Sequence, residues 1–140
     1  HPIVSGRMYT GRDSLALDYM TALRRVQQLW LRAEAQLADV DVLATPTIPI
    51  TPPIVSEVED MEAYVAANML TLSNTMAGNS LNLCGVTIPV GLDNAGMPVG
   101  LQLLAKLHDE ETLLSVALAV EAKIGTPKER LGPSPLGGSN

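Results

Sequence analysis

Val86-Thr87-Ile88-Pro89-Val90 and Val99-Gly100-Leu101-Gln102-Leu103-Leu104 are two apolar runs of strand length, separated by Asp93-Asn94-Ala95-Gly96. β-branched residues open the first run, and Leu dominates the second. Short side chains that bond their own backbone, with a glycine, fill the gap between them. That chemistry predicts an antiparallel strand pair joined by a tight turn.

Downstream of the pair, Asp109 is placed to cap a helix carrying Leu113, Leu114, Ala117, Leu118 and Glu121, which Gly125 can end. From Thr126 onward Pro and Gly dominate, so residues 126–140 read as a flexible tail that frays at Gly137-Gly138-Ser139-Asn140. Upstream, Met61, Tyr64, Val65, Met69 and Leu72 recur at helical spacing over residues 60–73. The stretch from Asn74 to Asn82 mixes amides, small residues and a glycine, and reads as an unusual loop. Before it, Val42-Leu43-Ala44 is a brief buried strand, and Pro46, Pro49, Pro52 and Pro53 make an extended connector, because each removes a backbone donor and fixes φ.

A longer helix precedes that strand. Leu15, Tyr19, Ala22, Leu23, Val26, Leu29, Trp30, Ala33 and Leu37 fall three and four apart, so a helix is expected over about residues 13–38, capped by Asp13 or Ser14. Residues 1–12 read as irregular, with Gly6 and Gly11 as turn signals. The order of elements is helix, strand, helix, strand pair, helix. This is an α/β pattern with helices covering a small sheet, and three strands fit best beside others.

Composition narrows the class of function. The chain has 140 residues, of which 46% are hydrophobic and 3% aromatic, so the core is built from aliphatic side chains and Met. The net charge is −6, and Arg24-Arg25 is the only basic pair, which excludes the basic stripe that nucleic acid or an anionic membrane surface demands. No apolar run reaches membrane-spanning length. Cys84 stands alone in an apolar stretch, so no internal disulfide forms and a cytoplasmic setting is the default.

The usual catalytic constellations are missing. His1, His108 and Cys84 lie far apart, and Asp109-Glu110-Glu111 read as acids favouring a helix N-terminus, so no metal is expected. No serine sits in a Gly-x-Ser-x-Gly elbow, and no glycine-rich loop joins a strand to a helix, so neither a serine triad nor a nucleotide cofactor is indicated. Ser80, within Gly78-Asn79-Ser80-Leu81, is the serine best placed to meet a ligand. Lys106, Lys123 and Lys128 match no catalytic motif.

The order and wording of four segments go further. They are Arg7-Met8-Tyr9-Thr10-Gly11 with Asp18-Tyr19 and Arg25; Asp41-Val42-Leu43-Ala44-Thr45-Pro46-Thr47-Ile48-Pro49; Asn79 to Pro89; and Gly96-Met97-Pro98-Val99-Gly100-Leu101-Gln102-Leu103 with Glu110 and Leu113-Leu114. Together, over about residues 3–124, they resemble the C-terminal third of the amidase-signature family. That family includes the A subunit of the glutamyl/aspartyl-tRNA amidotransferase, allophanate hydrolase and many bacterial amidases. The third segment departs from the common pattern: Asn82 stands where many members have Gly, Cys84 where many have Pro, and Gly85 where many have Ala.

The resemblance implies a mixed sheet covered by helices, with residues 1–125 as the C-terminal portion of an amidase-signature domain. It also implies cleavage of a carboxamide C–N bond by a Ser nucleophile, a bridging Ser in a cis peptide and a Lys base. These residues are expected upstream of His1, so no catalytic residue is assigned here and the chain alone is expected to be inactive. An Arg in an Arg-x-x-x-Gly context binds the substrate carboxylate in the tRNA amidotransferase, which makes Arg7 a substrate-binding candidate beside Asn79 and Ser80. No acid stands near Leu72, where that enzyme holds the substrate amine, and this disfavours glutamine. Buried amides more commonly tie loops to backbone, and that is the expected role of Asn79 and Asn82. Expected partners are a small amide, the other subunits of an amidotransferase, and a second copy of the chain through an open sheet edge. The alternative is a non-catalytic binding domain that keeps part of this fold.

Overall fold

A computed structural model describes residues 2–132; the side chains of Pro2, Ile3, Val4 and Arg7 lie outside that description. The strand pair forms as its sequence dictates. Strand β2 (Cys84–Leu92) and strand β3 (Pro98–Ala105) run antiparallel, with Thr87 opposite Gln102 and Val86 opposite Leu103. Asp93 builds the turn: its Oδ1 accepts the N–H groups of Ala95 and Met97, both at 2.8 Å. Strand β1 (Leu43–Pro46) pairs antiparallel with the other side of β3, giving the order β1-β3-β2. Central β3 is therefore bonded on both edges, and its residues 102–105 are all buried.

Alternation along β3 separates two faces of the sheet. Leu101, Leu103 and Ala105 point one way, with Val86 and Ile88 of β2 beside them. On this side lies helix α4 (Glu110–Ile124), which contributes Leu113 and Ala117 to the buried cluster and packs Val116, Val120 and Ile124 around it. Val42 and Cys84 complete the rim, and the Cys84 thiol donates to the Lys106 carbonyl at 3.1 Å. Gly125 ends α4 with φ +87°, a conformation costly for any residue with a Cβ. Asp109 occupies the N-cap position of α4, yet its side chain makes no capping bond; Glu110 and Glu111 supply the negative charge of the first turn.

Several sequence expectations change. Helix α1 (Pro2–Tyr9) replaces the irregular start, since Pro fits the first helical position and one interior Gly is tolerated. Helix α2 (Ala16–Gln36) begins later than Asp13 or Ser14; Leu15 is its N-cap without a side-chain bond, and the Ser14 N–H is taken by the Gly11 carbonyl. Helix α3 (Met61–Ser80) runs straight through the segment read as a loop, from a cap in which Asp60 accepts from Glu62 and Ala63 to a stop at Leu81. Asn82 follows at φ +53°, a left-handed conformation that Asn accepts better than most residues.

Residues 126–132 also hold more order than a tail. Helix α5 (Pro127–Leu131) starts with a capping box in which the Thr126 hydroxyl accepts from Glu129 N and the Glu129 carboxylate accepts from Thr126 N and Oγ1. Residues 133–140, including the glycine-rich end, lie outside the described residues. The bonds from Thr126, the backbone one first, hold the Glu129 carboxyl below its usual value of 4.5. A carboxylate with a lowered folded pKa stabilises above its unfolded pKa and loses that contribution as pH falls through the folded value. Amide exchange protection of α5, corrected for intrinsic rates, is therefore expected to hold constant above about pH 5 and to decline below about pH 4. Protection unchanged down to about pH 2 would remove the carboxylate from the account.

Candidate functional site

The second face of the sheet has a different chemistry. Here Gln102 and Leu104 of β3 lie beside Gly85 and Thr87 of β2 and Thr45 of β1, so hydroxyls and an amide replace the aliphatic layer. Thr45 Oγ1 donates to Gln102 Oε1 at 3.5 Å, and Thr47 Oγ1 to Thr87 Oγ1 at 3.3 Å. Such groups on a covered sheet face need partners, and the bonds run across strands to supply them.

Helix α3 and the proline-rich segment after β1 cover this face. Gly78, the one buried residue of α3, lets the helix approach: a Cβ there would stand 3.1 Å from Leu104 Cδ2. Asn74 anchors the helix by donating Nδ2 to the Pro46 carbonyl at 2.7 Å. The backbone tie expected of Asn79 and Asn82 is thus made by Asn74, earlier on the same helix. At the other end of the face, Gly100 leaves room for the proline segment. A Cβ there would fall 2.6 Å from Thr47 Oγ1 and 2.8 Å from Thr87 Cγ2.

Two hollows result, with Thr87 in the wall of both. The larger, about 490 Å³, runs beneath Pro46 to Pro52 and is lined mainly by Pro, Ile48, Ile50 and Val99. The smaller, about 250 Å³, lies between α3 and the sheet and is lined by Thr75, Asn79, Thr87 and Gln102 among apolar residues. Asn79 therefore does face a cavity. Ser80, the exposed last residue of α3, is not part of its wall. The Arg7 backbone belongs to α1, and its side chain falls outside the described residues. Among the described residues there is no group of three or more His, Cys, Asp or Glu able to hold a metal ion.

Gln102 escaped the sequence reading. Its signal was present: one amide in the middle of Val99 to Leu104, in register with Thr45 and Thr87 once the pairing is known.

The sequence matches the amidase family profile over residues 2–114. This chain belongs to the amidase-signature family. Among relatives, it is 37% identical over 96% of its length to 2-amino-5-chloromuconic acid deaminase of Comamonas testosteroni, covering 29% of that protein. It is 34% identical over 84% of its length to the A-type subunit of the glutamyl-tRNA(Gln) amidotransferase of Halobacterium salinarum, covering 28% of it. A solved amidase structure superposes with a TM-score of 0.74 at 25% identity, over 89% of this chain and 29% of that one. The chain thus spans under a third of these amidase-family proteins. The three-stranded antiparallel sheet with its helices is a part of the amidase-signature fold.

No helix among the described residues is long and apolar enough to cross a membrane.

Proposed function

We propose that this chain is the C-terminal portion of an amidohydrolase or amidotransferase that cleaves a carboxamide C–N bond. A Ser nucleophile attacks the amide carbonyl, assisted by a bridging Ser and a Lys base, all upstream of His1. The amine or ammonia leaves, and water resolves the acyl-enzyme to the carboxylate and the free Ser. The observation that carries the reading is kinship along almost the whole chain to a deaminase of which it covers under a third. The chain then supplies substrate-side walls, with Arg7, Asn79 and Ser80 as binding candidates and a small amide as substrate. The polar face of the sheet supports this, since Thr45, Thr87 and Gln102 place hydrogen-bonding groups side by side there. An amidotransferase assembly and a cytoplasmic setting follow the same kinship, and the outer edges of β1 and β2 offer surfaces for partner subunits or a second copy.

The test compares two proteins. The 140-residue chain is expected to release no ammonia from short aliphatic amides, while the full-length gene product does. Turnover by the 140-residue chain, abolished by substituting one of its own residues, would overturn the proposal. So would a full-length product lacking the upstream Ser and Lys.

A further inference from the structure

Asp93 lines the 490 Å³ hollow and, among the described residues, is the one charged side chain in its wall. Its carboxylate is only half used. Oδ1 accepts from Ala95 and Met97, and the Asp93 N–H donates to the Met97 carbonyl at 2.8 Å, so the turn holds the side chain in place. Oδ2 is buried and has no hydrogen-bond partner among the described residues. The nearby hydroxyls are engaged elsewhere, since Thr47 donates to Thr87 at 3.3 Å. Proline rings from the connector and from both strands of the hairpin make up much of the wall. Proline has no N–H, so this surface is poor in donors, and no Lys, Arg or His is part of it.

We propose that this hollow is a binding site for an aliphatic primary ammonium ion. The ammonium donates to Asp93 Oδ2, and the alkyl chain lies along the proline rings, Ile48, Ile50 and Val99. A buried anionic oxygen without a donor is costly, and a cation that also donates a hydrogen bond offsets that cost best. An ammonium carries three donors and no acceptor, which matches a wall with few donors of its own. An anion in the same space would be repelled by Asp93 with no cation nearby to offset the repulsion. A quaternary ammonium cannot donate, and no aromatic ring lines the hollow to attract it by its face. A cavity of this size suits a small molecule. Asn94 to Met97 are all exposed, so the cover over Oδ2 is thin and gives way to an entering ligand. None of this depends on the amidase reading, because an amide carbonyl is an acceptor and meets few donors in this hollow.

The experiment titrates the isotope-labelled 140-residue chain at pH 7 with hexylammonium, hexyltrimethylammonium and hexanoate in turn, following its NMR spectrum. Hexylammonium is expected to shift the backbone amides of Thr47, Ile50, Asp93 and Val99, with a dissociation constant of about 1 mM, as suits so small a ligand. Hexyltrimethylammonium and hexanoate are expected to bind at least about tenfold more weakly, the first for want of a donor and the second for its charge. Asp93→Asn keeps an oxygen for the Ala95 and Met97 amides and removes the anion, so hexylammonium is expected to bind it at least about tenfold more weakly. Ile48→Ser removes apolar wall at a position 47% exposed, which spares the core, and is expected to weaken binding about threefold. Should Asp93→Asn fail to fold, the unaltered chain decides. Amides of Thr47, Ile50, Asp93 and Val99 that do not move with hexylammonium overturn the proposal. Equal binding of hexyltrimethylammonium or hexanoate overturns it as well, as does unchanged affinity in a folded Asp93→Asn chain.

Discussion

Leu103→Ala is expected to destabilise the chain by about 2–5 kcal/mol, as seen when a large aliphatic side chain is removed from a well-packed core. Leu103 is 2% exposed and is the largest side chain in the fully buried set among the described residues. It lies in β3, the one strand among the described residues bonded on both edges, and it meets the cluster of Ile88, Ala105, Leu113 and Ala117. Its neighbours are fixed from two directions, by the β-ladder below and by α4 above, so they cannot close over the gap. Net stabilities of domains are only about 5–15 kcal/mol, which makes this one change a large fraction of the whole. Urea denaturation followed by circular dichroism measures it. A loss under about 1 kcal/mol would mean that the apolar layer between α4 and the sheet does not hold the fold together.

Arg130→Ala is expected to cost about 2 kcal/mol and to loosen the far end of β2. The ladder between β2 and β3 is irregular between Pro89 and Gly91, where Val90 has no register partner on β3, and the carbonyls of Pro89 and Val90 accept from a side chain instead. The half-buried Arg130 guanidinium supplies the donors. Nη1 donates to Val90 O at 2.6 Å, Nη2 donates to Pro89 O, and Nε donates to Gly125 O at 3.2 Å. A planar fork with fixed donors can serve three carbonyls at once, and a lysine ammonium cannot copy that geometry, so Arg130→Lys is expected to recover less than half of the loss. Denaturation gives the magnitude. Faster hydrogen exchange at Val90 to Leu92, with exchange in β1 unchanged, gives the location. Uniformly faster exchange would mean that Arg130 acts on global stability rather than as a brace for the irregular strand.

The strand pair and α4 were legible because local chemistry and long-range packing agree there. The Asp93 turn is closed by its own side chain, and the leucines of β3 have an aliphatic helix to meet. Helix α3 was misread at its C-terminal half for a physical reason. Asn74, Gly78 and Asn79 are poor helix formers in isolation, and only the sheet shows why they are tolerated: Gly78 makes room for Leu104 and Asn74 bonds Pro46. Arg130 was hidden inside a Pro/Gly-rich stretch, since nothing local reveals that it serves carbonyls far earlier in the chain. The chemistry of the candidate site was half visible. Asn79 was singled out and does border a cavity, whereas Gln102 gained meaning only when strand pairing set it beside Thr45 and Thr87.

The opposed faces of β3 have a consequence for how this segment changes over generations. Stability resides at Leu101, Leu103 and Ala105, and the polar chemistry at Gly100, Gln102 and, through pairing, Thr45 and Thr87. Neighbouring codons thus answer to different selective pressures. A substitution at Gln102 changes the polar lining of the smaller hollow without first dismantling the aliphatic layer. A shift of pairing by one residue would exchange the two roles at once, so an insertion in this strand is far less tolerable than a replacement.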